Sequence, residues 1–188
     1  MCCGLGNSRE TPTVERYYAY FFMCSRLNMI RKAETSDAAA IASIYNGYVT
    51  GTDITFEEEP VPVDEMAARI AGISSRFPYL VWEEDGEVLG YCYAHAWKGR
   101  SAYRYTAETT VYLAPCAVGR GIGTALMSHL VADCRAIGLK ALVACITDGN
   151  AASNALHEKL GFRQVSHFEK VGMKFGRWLD VVDYELIL

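Results

Sequence analysis

The chain has 188 residues, a formal net charge of −4 and a hydrophobic content of 51%, values that are ordinary for a globular protein. This length is sufficient for one domain with a sizeable core. The acidic balance argues against nucleic-acid binding, which needs a basic surface to neutralise phosphates. The longest apolar run, 17–24, is much shorter than the ~20 residues that a membrane-spanning helix requires. We therefore expect neither nucleic acid nor a membrane as a partner.

The seven cysteines are scattered through the chain and include no C-x-x-C pair. Disulfide scaffolds and cysteine-based zinc sites usually show paired spacing. The sequence therefore predicts reduced thiols, a cytoplasmic location and no metal site. Cys92, Cys134 and Cys145 are expected to be small core residues, because free cysteine is among the most buried residue types.

Residues 1–28 differ from the rest of the chain. They carry three arginines against two glutamates, and their aromatic run at 17–24 has neither a helical nor a strand period. A strand-like pattern begins directly afterwards. We predict an N-terminal extension outside the domain at 1–28, and a single domain at 29–188.

The predicted elements follow from apolar periodicity and from the positions of glycine, proline and Asx residues. The first half is expected to contain a strand at 29–34, a helix capped at Ser36–Asp37, a loop at 50–62, a helix ending at Pro78, and strands at 79–82 and 88–97 joined by a turn at Asp85–Gly86. The second half is expected to contain a polar loop at 98–104, a strand at 105–113, a glycine-rich loop, a helix closed by Gly138, a strand at 140–146, a helix at 151–160, and strands at 163–171 and 178–187 flanking Gly172 and Gly176. The order β-α-α-β-β-β-α-β-α-β-β is typical of an α/β (α+β) domain with a mixed sheet and helices on both faces.

A glycine-rich segment separates the strand at 105–113 from the next helix. Gly119, Gly121 and Gly123 occupy every second position, which lets the backbone approach a ligand closely. Free N–H groups at the following helix start favour an anion. The spacing fits neither a Walker loop nor the G-x-G-x-x-G dinucleotide fingerprint. A flexible connection is the alternative, but Gly123 within a helix costs ~1 kcal/mol relative to alanine, so we predict an anion-binding loop.

Glu108 lies in the middle of the strand at 105–113, on the same face as Thr106, Thr110 and Tyr112. A carboxylate in an interior strand is costly unless it is paired. Burial would raise its pKa towards neutrality, which suits a general base. The alternative is a structural carboxylate that forms a salt bridge with Arg100 or Arg104.

The segment 150–162 reads N-A-A-S-N-A-L-H-E-K-L-G-F. Asn150 stands where an N-cap or a ligand-binding amide would lie. Ala151, Ala152 and Ser153 are small enough for a ligand to pack against the helix start. A capped helix with a glycine stop explains Asn150 and Gly161 without a ligand, but it does not explain the small residues.

Together these motifs resemble the GNAT superfamily of N-acetyltransferases. The glycine loop resembles the family's acetyl-CoA pyrophosphate motif, Q/R-x-x-G-x-G/A, with Val118 in place of the Q or R. Residues 150–162 resemble its second cofactor motif, N-x-x-A-x-x-L-Y/H-x-x-x-G-F. The similarity is greater to the phosphinothricin acetyltransferase branch and the related methionine sulfone and sulfoximine acetyltransferases, at 55–60, 96–103, 106–112, 156–158 and 174–180. The resemblance covers 29–188 and implies a mixed, mostly antiparallel GNAT sheet.

This resemblance implies direct acetyl transfer from acetyl-CoA without a metal, with Glu108 as the base and His157 as a weaker candidate for the acid. The opposing interpretation of His157 is a structural histidine. Arg120 is expected to compensate for Val118. The residues assigned to acetyl-CoA are Val111, Tyr112, Leu113, Gly119, Arg120, Gly121, Ile122, Gly123, Thr124, Asn150 and Ser153. The residues assigned to the acceptor are Phe56, Lys98, Arg100, Tyr103 and Thr110.

Lys98 and Arg100 suit a small anionic, amino-acid-like acceptor with a free α-amine, such as phosphinothricin, methionine sulfoximine or methionine sulfone. They also fit a solvated basic loop. The resemblance further implies a homodimer, with the C-terminal strands near its interface. Three other functions stay open at this point: a protein or peptide Nα-acetyltransferase, a non-catalytic acetyl-CoA sensor and a nucleotide-binding switch.

Overall fold

The computed structural model describes residues 28–188, so the extension predicted at 1–28 lies almost entirely outside the described residues. The elements follow the predicted order. They are β1 (Asn28–Lys32), α1 (Ala38–Gly51), α2 (Val63–Ser74), β2 (Tyr79–Glu84), β3 (Glu87–Ala96), β4 (Thr106–Leu113), α3 (Ile122–Ala136), β5 (Ala141–Thr147), α4 (Ala151–Lys159), β6 (Arg163–Lys174) and β7 (Arg177–Ile187). Short 3₁₀ turns lie in three of the connections. Thr35–Asp37 lies between β1 and α1, Ser101–Tyr103 between β3 and β4, and Pro115–Ala117 between β4 and α3.

The seven strands form one sheet in the order β1-β2-β3-β4-β5-β7-β6. Neighbouring strands are antiparallel except for β4 and β5, which are parallel. The β2–β3 turn has the two positive φ angles of a type I′ hairpin, 54° at Asp85 and 84° at Gly86, as the Asp-Gly pair predicts. The mixed, mostly antiparallel sheet is therefore confirmed.

Helices cover both faces of this sheet, which confirms the predicted layers. On one face, α1 and α2 pack on β2–β4 through a cluster that includes Ile41, Val49, Ile70, Val81 and Tyr91. On the other face, α3 and α4 pack through a cluster that includes Cys92, Leu126, Leu130, Cys134 and Leu142. None of the helices within 28–188 is long and apolar enough to cross a membrane.

The structure modifies one local prediction and overturns another. Asp37 is the N-cap residue of α1, as predicted, but its carboxylate makes no hydrogen bond to that helix. It accepts from the Arg31 guanidinium at 2.7 and 2.8 Å and from the Glu34 N–H at 2.8 Å, because β1 brings a cation beside it. Gly172 lies inside β6 rather than in the turn, which is formed by Phe175 and Gly176 at φ 52° and 73°.

Candidate active site

The parallel strands β4 and β5 separate after a short paired region. Thr106–Glu108 pairs with Ala141–Val143, and no pairing joins these strands beyond that point. The Ala114 N–H donates to the Leu89 carbonyl at 2.8 Å. Hydrogen bonding alternates along an antiparallel pair, so Val111 and Leu113 direct their N–H and C=O groups away from β3 and into the gap. A V-shaped opening with unpaired strand edge is the result.

A cavity of about 910 Å³ fills this opening. The cavity is lined by residues of β4, the glycine loop, the starts of α3 and α4, and the loop after α1. The predicted site residues that line it are Phe56, Glu108, Thr110, Val111, Tyr112, Leu113, Gly119, Gly121, Gly123, Thr124, Asn150, Ser153 and His157. Those that do not line it are Lys98, Arg100, Tyr103, Arg120 and Ile122.

The glycine loop has the backbone that an anion site needs. Gly119 and Gly121 have φ of 78° and 81°, a region that side chains with a Cβ rarely occupy. Gly121 is the N-cap of α3, and the first N–H groups of a helix have no intrahelical acceptor. A Cβ at Gly123 would stand 3.5 Å from the Leu113 Cδ1 atom, which is ordinary contact. Gly123 is therefore not required by the protein packing around it, and it borders the cavity.

Arg120 and Ile122 point their side chains elsewhere. The Arg120 Nη2 atom lies 2.6 Å from the Glu84 Oε2 atom at the end of β2. Ile122 is buried in the core beneath α3. Their backbone N–H groups remain part of the loop, but the expected compensation of Val118 by the Arg120 charge has no support in this geometry.

Of the three β4 residues predicted to contact acetyl-CoA, Val111 and Leu113 have backbone groups available to a ligand and Tyr112 has none. Val111 presents its backbone N–H and C=O groups to the gap, as described above. The Leu113 carbonyl already accepts from the Tyr48 hydroxyl at 2.7 Å, which leaves its N–H. Tyr112 directs its backbone groups to β3, and its ring packs against Tyr45, Tyr48 and Tyr91.

Glu108 is the carboxylate at the point where the strands separate. Its side chain is 29% exposed, and its Oε1 atom lies 3.8 Å from the His95 Nε2 atom on β3. Burial raises the pKa of Glu108; His95 opposes this shift and the Asp183 carboxylate adds to it. Among the ion pairs of residues 28–188, Glu108 meets His95 and not Arg100 or Arg104. The predicted alternative of an arginine salt bridge was wrong.

Asn150 is the N-cap of α4, where its Oδ1 atom accepts from the Ser153 N–H at 3.2 Å. This leaves the Nδ2 donor for another partner. His157 is 3% exposed, and its Nδ1 atom lies 2.8 Å from the Ser153 carbonyl oxygen. Burial lowers the pKa of His157. The neutral ring therefore carries its proton on Nδ1 and has none to donate from Nε2, which has no protein partner among the described residues.

The predicted acceptor loop lies outside the cavity. Lys98 and Arg100 are exposed, and the Lys98 ammonium lies 3.9 Å from the centre of the Trp97 ring. Tyr103 contacts the same ring edge-on at 5.3 Å between centroids. Lys98 and Tyr103 thus both contact the Trp97 ring, the lysine through a cation–π interaction.

Sequence reasoning missed Cys145. It was expected in the core, as Cys92 and Cys134 are, but it is exposed and lines the cavity. On β5 it lies on the same face as Val143, the partner of Glu108. Partial burial and the carboxylates of Asp183 and Glu108 raise the pKa of the Cys145 thiol to about 12. It therefore remains a thiol at neutral pH rather than a competing thiolate nucleophile.

One group of metal-ligating side chains occurs within 28–188. The ligand atoms of Asp148, His167 and Asp180 lie within 4.8 Å of one another. The His167 Nε2 and Asp180 Oδ2 atoms are already 3.1 Å apart. None of these residues lines the cavity.

Comparison with known proteins identifies the class of this fold and site. A family profile described as "Acetyltransferase (GNAT) domain" matches residues 30–182. The phosphinothricin N-acetyltransferase of Alcaligenes faecalis is 44% identical over 81% of this chain and 79% of its own. The L-methionine sulfoximine/L-methionine sulfone acetyltransferase of Salmonella typhimurium is 40% identical over 85% of this chain and 94% of its own.

Solved structures agree with this assignment. A GNAT superfamily phosphinothricin acetyltransferase from Sinorhizobium meliloti, in complex with acetyl-CoA, superimposes with a TM-score of 0.83 at 40% identity. The match covers 86% of this chain and 88% of that one. The chain belongs to the GNAT acetyltransferase family and is an N-acetyltransferase.

Proposed function

We propose that this enzyme transfers the acetyl group of acetyl-CoA to the α-amine of a small anionic, amino-acid-like acceptor of the phosphinothricin, methionine sulfoximine or methionine sulfone type. One observation carries the proposal. Glu108, a partly buried carboxylate whose pKa is raised, shares a cavity with a glycine loop at a helix start. The names of the relatives supply the class of acceptor.

The chain has suitable groups for each part of acetyl-CoA. Backbone N–H groups of residues 119–124 would hold the pyrophosphate, because they lie in the glycine loop and at the unsatisfied start of α3. The exposed edge of β4 at Val111 and Leu113 would pair with the amide groups of the pantetheine. Asn150, with its Nδ2 donor, and the small Ser153 line the same cavity and would contact the pantetheine.

The chemistry follows from the position of Glu108. Its carboxylate removes a proton from the acceptor ammonium, directly or through water. The amine nitrogen attacks the thioester carbonyl carbon, and a β4 N–H stabilises the oxyanion. The C–N bond forms, the C–S bond breaks, and the second proton of the amine passes to the departing thiolate, directly or through water. The thiolate that leaves has a conjugate-acid pKa of about 8.5, so protonation demands little assistance. We give His157 no acid role, because its one ring proton is bonded to Ser153.

Acceptor recognition is assigned in two parts. Phe56 and Thr110 line the same cavity as Glu108 and suit the body of a small acceptor. Lys98, Arg100 and Tyr103 remain candidates on the resemblance alone, because the structure places them outside the cavity. An Arg100→Ala variant with an unchanged acceptor KM would remove the loop from the proposal.

We also propose a cytoplasmic homodimer that associates through the β6–β7 hairpin (163–187). This hairpin exposes a set of large apolar side chains, namely Val165, Phe168, Val171, Met173, Phe175 and Trp178. A concentration of exposed large apolar side chains in one hairpin is typical of protein–protein contacts. Sedimentation velocity should show a dimer for the wild type and a monomer for the double variant Val171→Asp/Trp178→Asp. A monomeric wild type would refute the dimer.

Thiol release from acetyl-CoA tests the activity. The panel contains phosphinothricin, methionine sulfoximine, methionine sulfone, ordinary amino acids and an alanine-terminated peptide, each with wild type and Glu108→Gln. Rapid release with an anionic amino acid, lost in the variant, supports the proposal. Release with the peptide alone supports the Nα-acetyltransferase alternative, and acetyl-CoA binding without any release supports the sensor.

A further inference from the structure

One part of the cavity lining is a short loop segment between α1 and α2, which the proposed function assigns to the acceptor end. We call residues 53–57 the strap. Ile54, Thr55 and Phe56 of the strap line the cavity. The strap has no regular secondary structure, so its position depends on the side chains that hold it.

A buried lysine of the β6–β7 hairpin holds the middle of the strap. The Lys174 ammonium donates to the Thr55 carbonyl oxygen at 2.7 Å. Lys174 is only 1% exposed, whereas lysine is almost never fully buried unless its charge is compensated. The Phe175 ring lies 5.0 Å from the ammonium, and the Asp53, Glu57 and Glu58 carboxylates attract it. The Thr55 hydroxyl is fixed separately, at 2.7 Å from the Tyr45 hydroxyl.

A glycine of the same hairpin makes room for the strap. A Cβ at Gly172 would come within 2.1 Å of the Phe56 Cε2 atom. Gly172 does not have a positive φ, so its backbone conformation does not require glycine. The missing side chain is therefore explained by the Phe56 ring, which rests directly on the β6 backbone.

Asp53, at the start of the strap, makes two further contacts that are weaker than the Lys174 hydrogen bond. The Arg177 Nη2 atom lies 2.7 Å from the Asp53 Oδ2 atom, but the arginine side chain is 66% exposed. Exposed ion pairs contribute little to stability. The Thr147 hydroxyl also donates to the Asp53 carbonyl at 2.8 Å. Lys174 is thus the buried charged contact between the strap and the hairpin.

We propose that Lys174 is a positioning residue for the acceptor: it fixes the strap on the hairpin and thereby sets Phe56 at the acceptor end of the cavity. Lys174 touches neither reacting group, and it acts through Thr55 and Phe56. The attachment of the strap follows from the contacts alone. Its effect on the acceptor rests on the proposed function.

The test compares Lys174→Met, which keeps a long side chain without the charge, with Arg177→Gln as the matched control in the same hairpin. Hydrogen–deuterium exchange reports on residues 53–58, and steady-state kinetics and titration report acceptor KM and acetyl-CoA Kd. Lys174→Met removes a hydrogen bond from a charged donor. We therefore expect the exchange rate at residues 53–58 and the acceptor KM each to rise about tenfold in this variant. Acetyl-CoA Kd should stay within about twofold, and Arg177→Gln should change each quantity by less than about threefold.

The outcomes separate the two proposals. Exchange needs no acceptor, so inactivity of the wild type would refute the proposed function while the exchange result still decides the role of Lys174. Unchanged exchange in the strap overturns the inference. Equal loosening of β4 and α3, or an equal loss of acetyl-CoA affinity, also overturns it, because Lys174 would then serve general stability.

A second variant decides the matter if Lys174→Met does not fold. Gly172→Ala places a methyl group against the Phe56 ring and leaves the Lys174 contact in place. We expect acceptor KM to rise about tenfold, because the methyl group displaces the Phe56 ring while the Lys174 ammonium keeps its bond to the Thr55 carbonyl. An unchanged acceptor KM in this variant overturns the inference.

Discussion

The cavity has two ends that are built in different ways. The end that we propose for acetyl-CoA comes from two nearly continuous stretches, 111–124 and 150–157, which combine a strand edge with two helix starts. The end that we propose for the acceptor joins residues far apart in the chain: the Lys174–Thr55 contact spans 119 positions and the Arg177–Asp53 contact spans 124. Backbone groups dominate the first end, and side chains dominate the second.

This difference determines how each end responds to substitution. A backbone site is sensitive to glycine replacement and insensitive to most side-chain changes. A side-chain site depends on the packing of the elements that carry it. Glu108 stands between the two ends, at the last position where β4 pairs with β5, so its replacement should affect the reaction and leave binding at the acetyl-CoA end intact.

The largest expected effect is that of Glu108→Gln. General-base catalysis contributes typically 10²–10⁴-fold, so kcat should fall within about that range while acetyl-CoA Kd changes less than about twofold. Thiol release measures the first quantity and calorimetric titration the second. The matched control is Glu185→Gln on β7, because its side chain is 30% exposed, close to the 29% of Glu108. Retention of more than about a tenth of kcat in Glu108→Gln would remove Glu108 as the base.

Gly123→Ala should affect the acetyl-CoA end alone. The new methyl group would meet Leu113 and Leu156 at 3.5 and 3.6 Å, and alanine is favoured in a helix by ~1 kcal/mol. Thermal unfolding should therefore show equal or higher stability, whereas acetyl-CoA Kd should rise about tenfold through lost close approach.

Gly72→Ala provides the control for this comparison. It lies in α2 with open space around the new methyl group, so it should gain stability without a change in acetyl-CoA affinity. An unchanged Kd in Gly123→Ala would mean that this glycine does not border the bound cosubstrate. The contrast between an acetyl-CoA end built from backbone groups and an acceptor end built from side chains would then lose its main support.

The sequence was most informative where structure depends on neighbouring residues. Element order, the Asp85–Gly86 turn and the glycine loop follow from local spacing, and the structure agrees with each. The strand period also placed Glu108 on a face of β4, and the separation of β4 from β5 opens that face to the cavity. Local rules sufficed there because backbone conformation is set mainly by adjacent side chains.

The acceptor end could not be predicted in the same way. Lys98 and Arg100 have the right charge, but neither lines the cavity, and the Lys98 ammonium lies over the Trp97 ring. Cys145 was expected in the core because free cysteine is usually buried. It is exposed only because β5 separates from β4 before this position, which local sequence does not indicate. Gly172 was expected in a turn, because nothing local indicates that the Phe56 ring rests on it. The misses at Cys145 and Gly172 both depend on how segments distant in the chain are arranged.

Arg120→Gln tests whether a side chain contributes at the backbone end. The guanidinium pairs with Glu84, which is only 7% exposed, so its loss removes a charged partner from a buried carboxylate. We expect a loss of about 1–2 kcal/mol in the free energy of unfolding, with acetyl-CoA Kd within about threefold. Urea denaturation and titration measure the two quantities. A tenfold rise in Kd with unchanged stability would instead assign Arg120 to the phosphate.

The smallest expected effects concern the pH dependence of kcat/KM, which reports the pKa of the essential base in the free enzyme. Glu108 acts when deprotonated, so kcat/KM should fall as the pH drops through its raised pKa. His95 lowers this pKa and Asp183 raises it. His95→Gln should therefore move the acid limb to higher pH and Asp183→Asn to lower pH, each by less than about one pH unit.

The opposite signs make this pair of variants informative, because a general loss of stability would not move the acid limb in two directions. The acceptor amine titrates identically in every assay with the same acceptor, so its contribution cancels from the comparison. Shifts of the same sign would show that the acid limb belongs to another group. Opposite shifts would identify the limb with Glu108 and show that its basicity is set from both sides, by β3 through His95 and by β7 through Asp183.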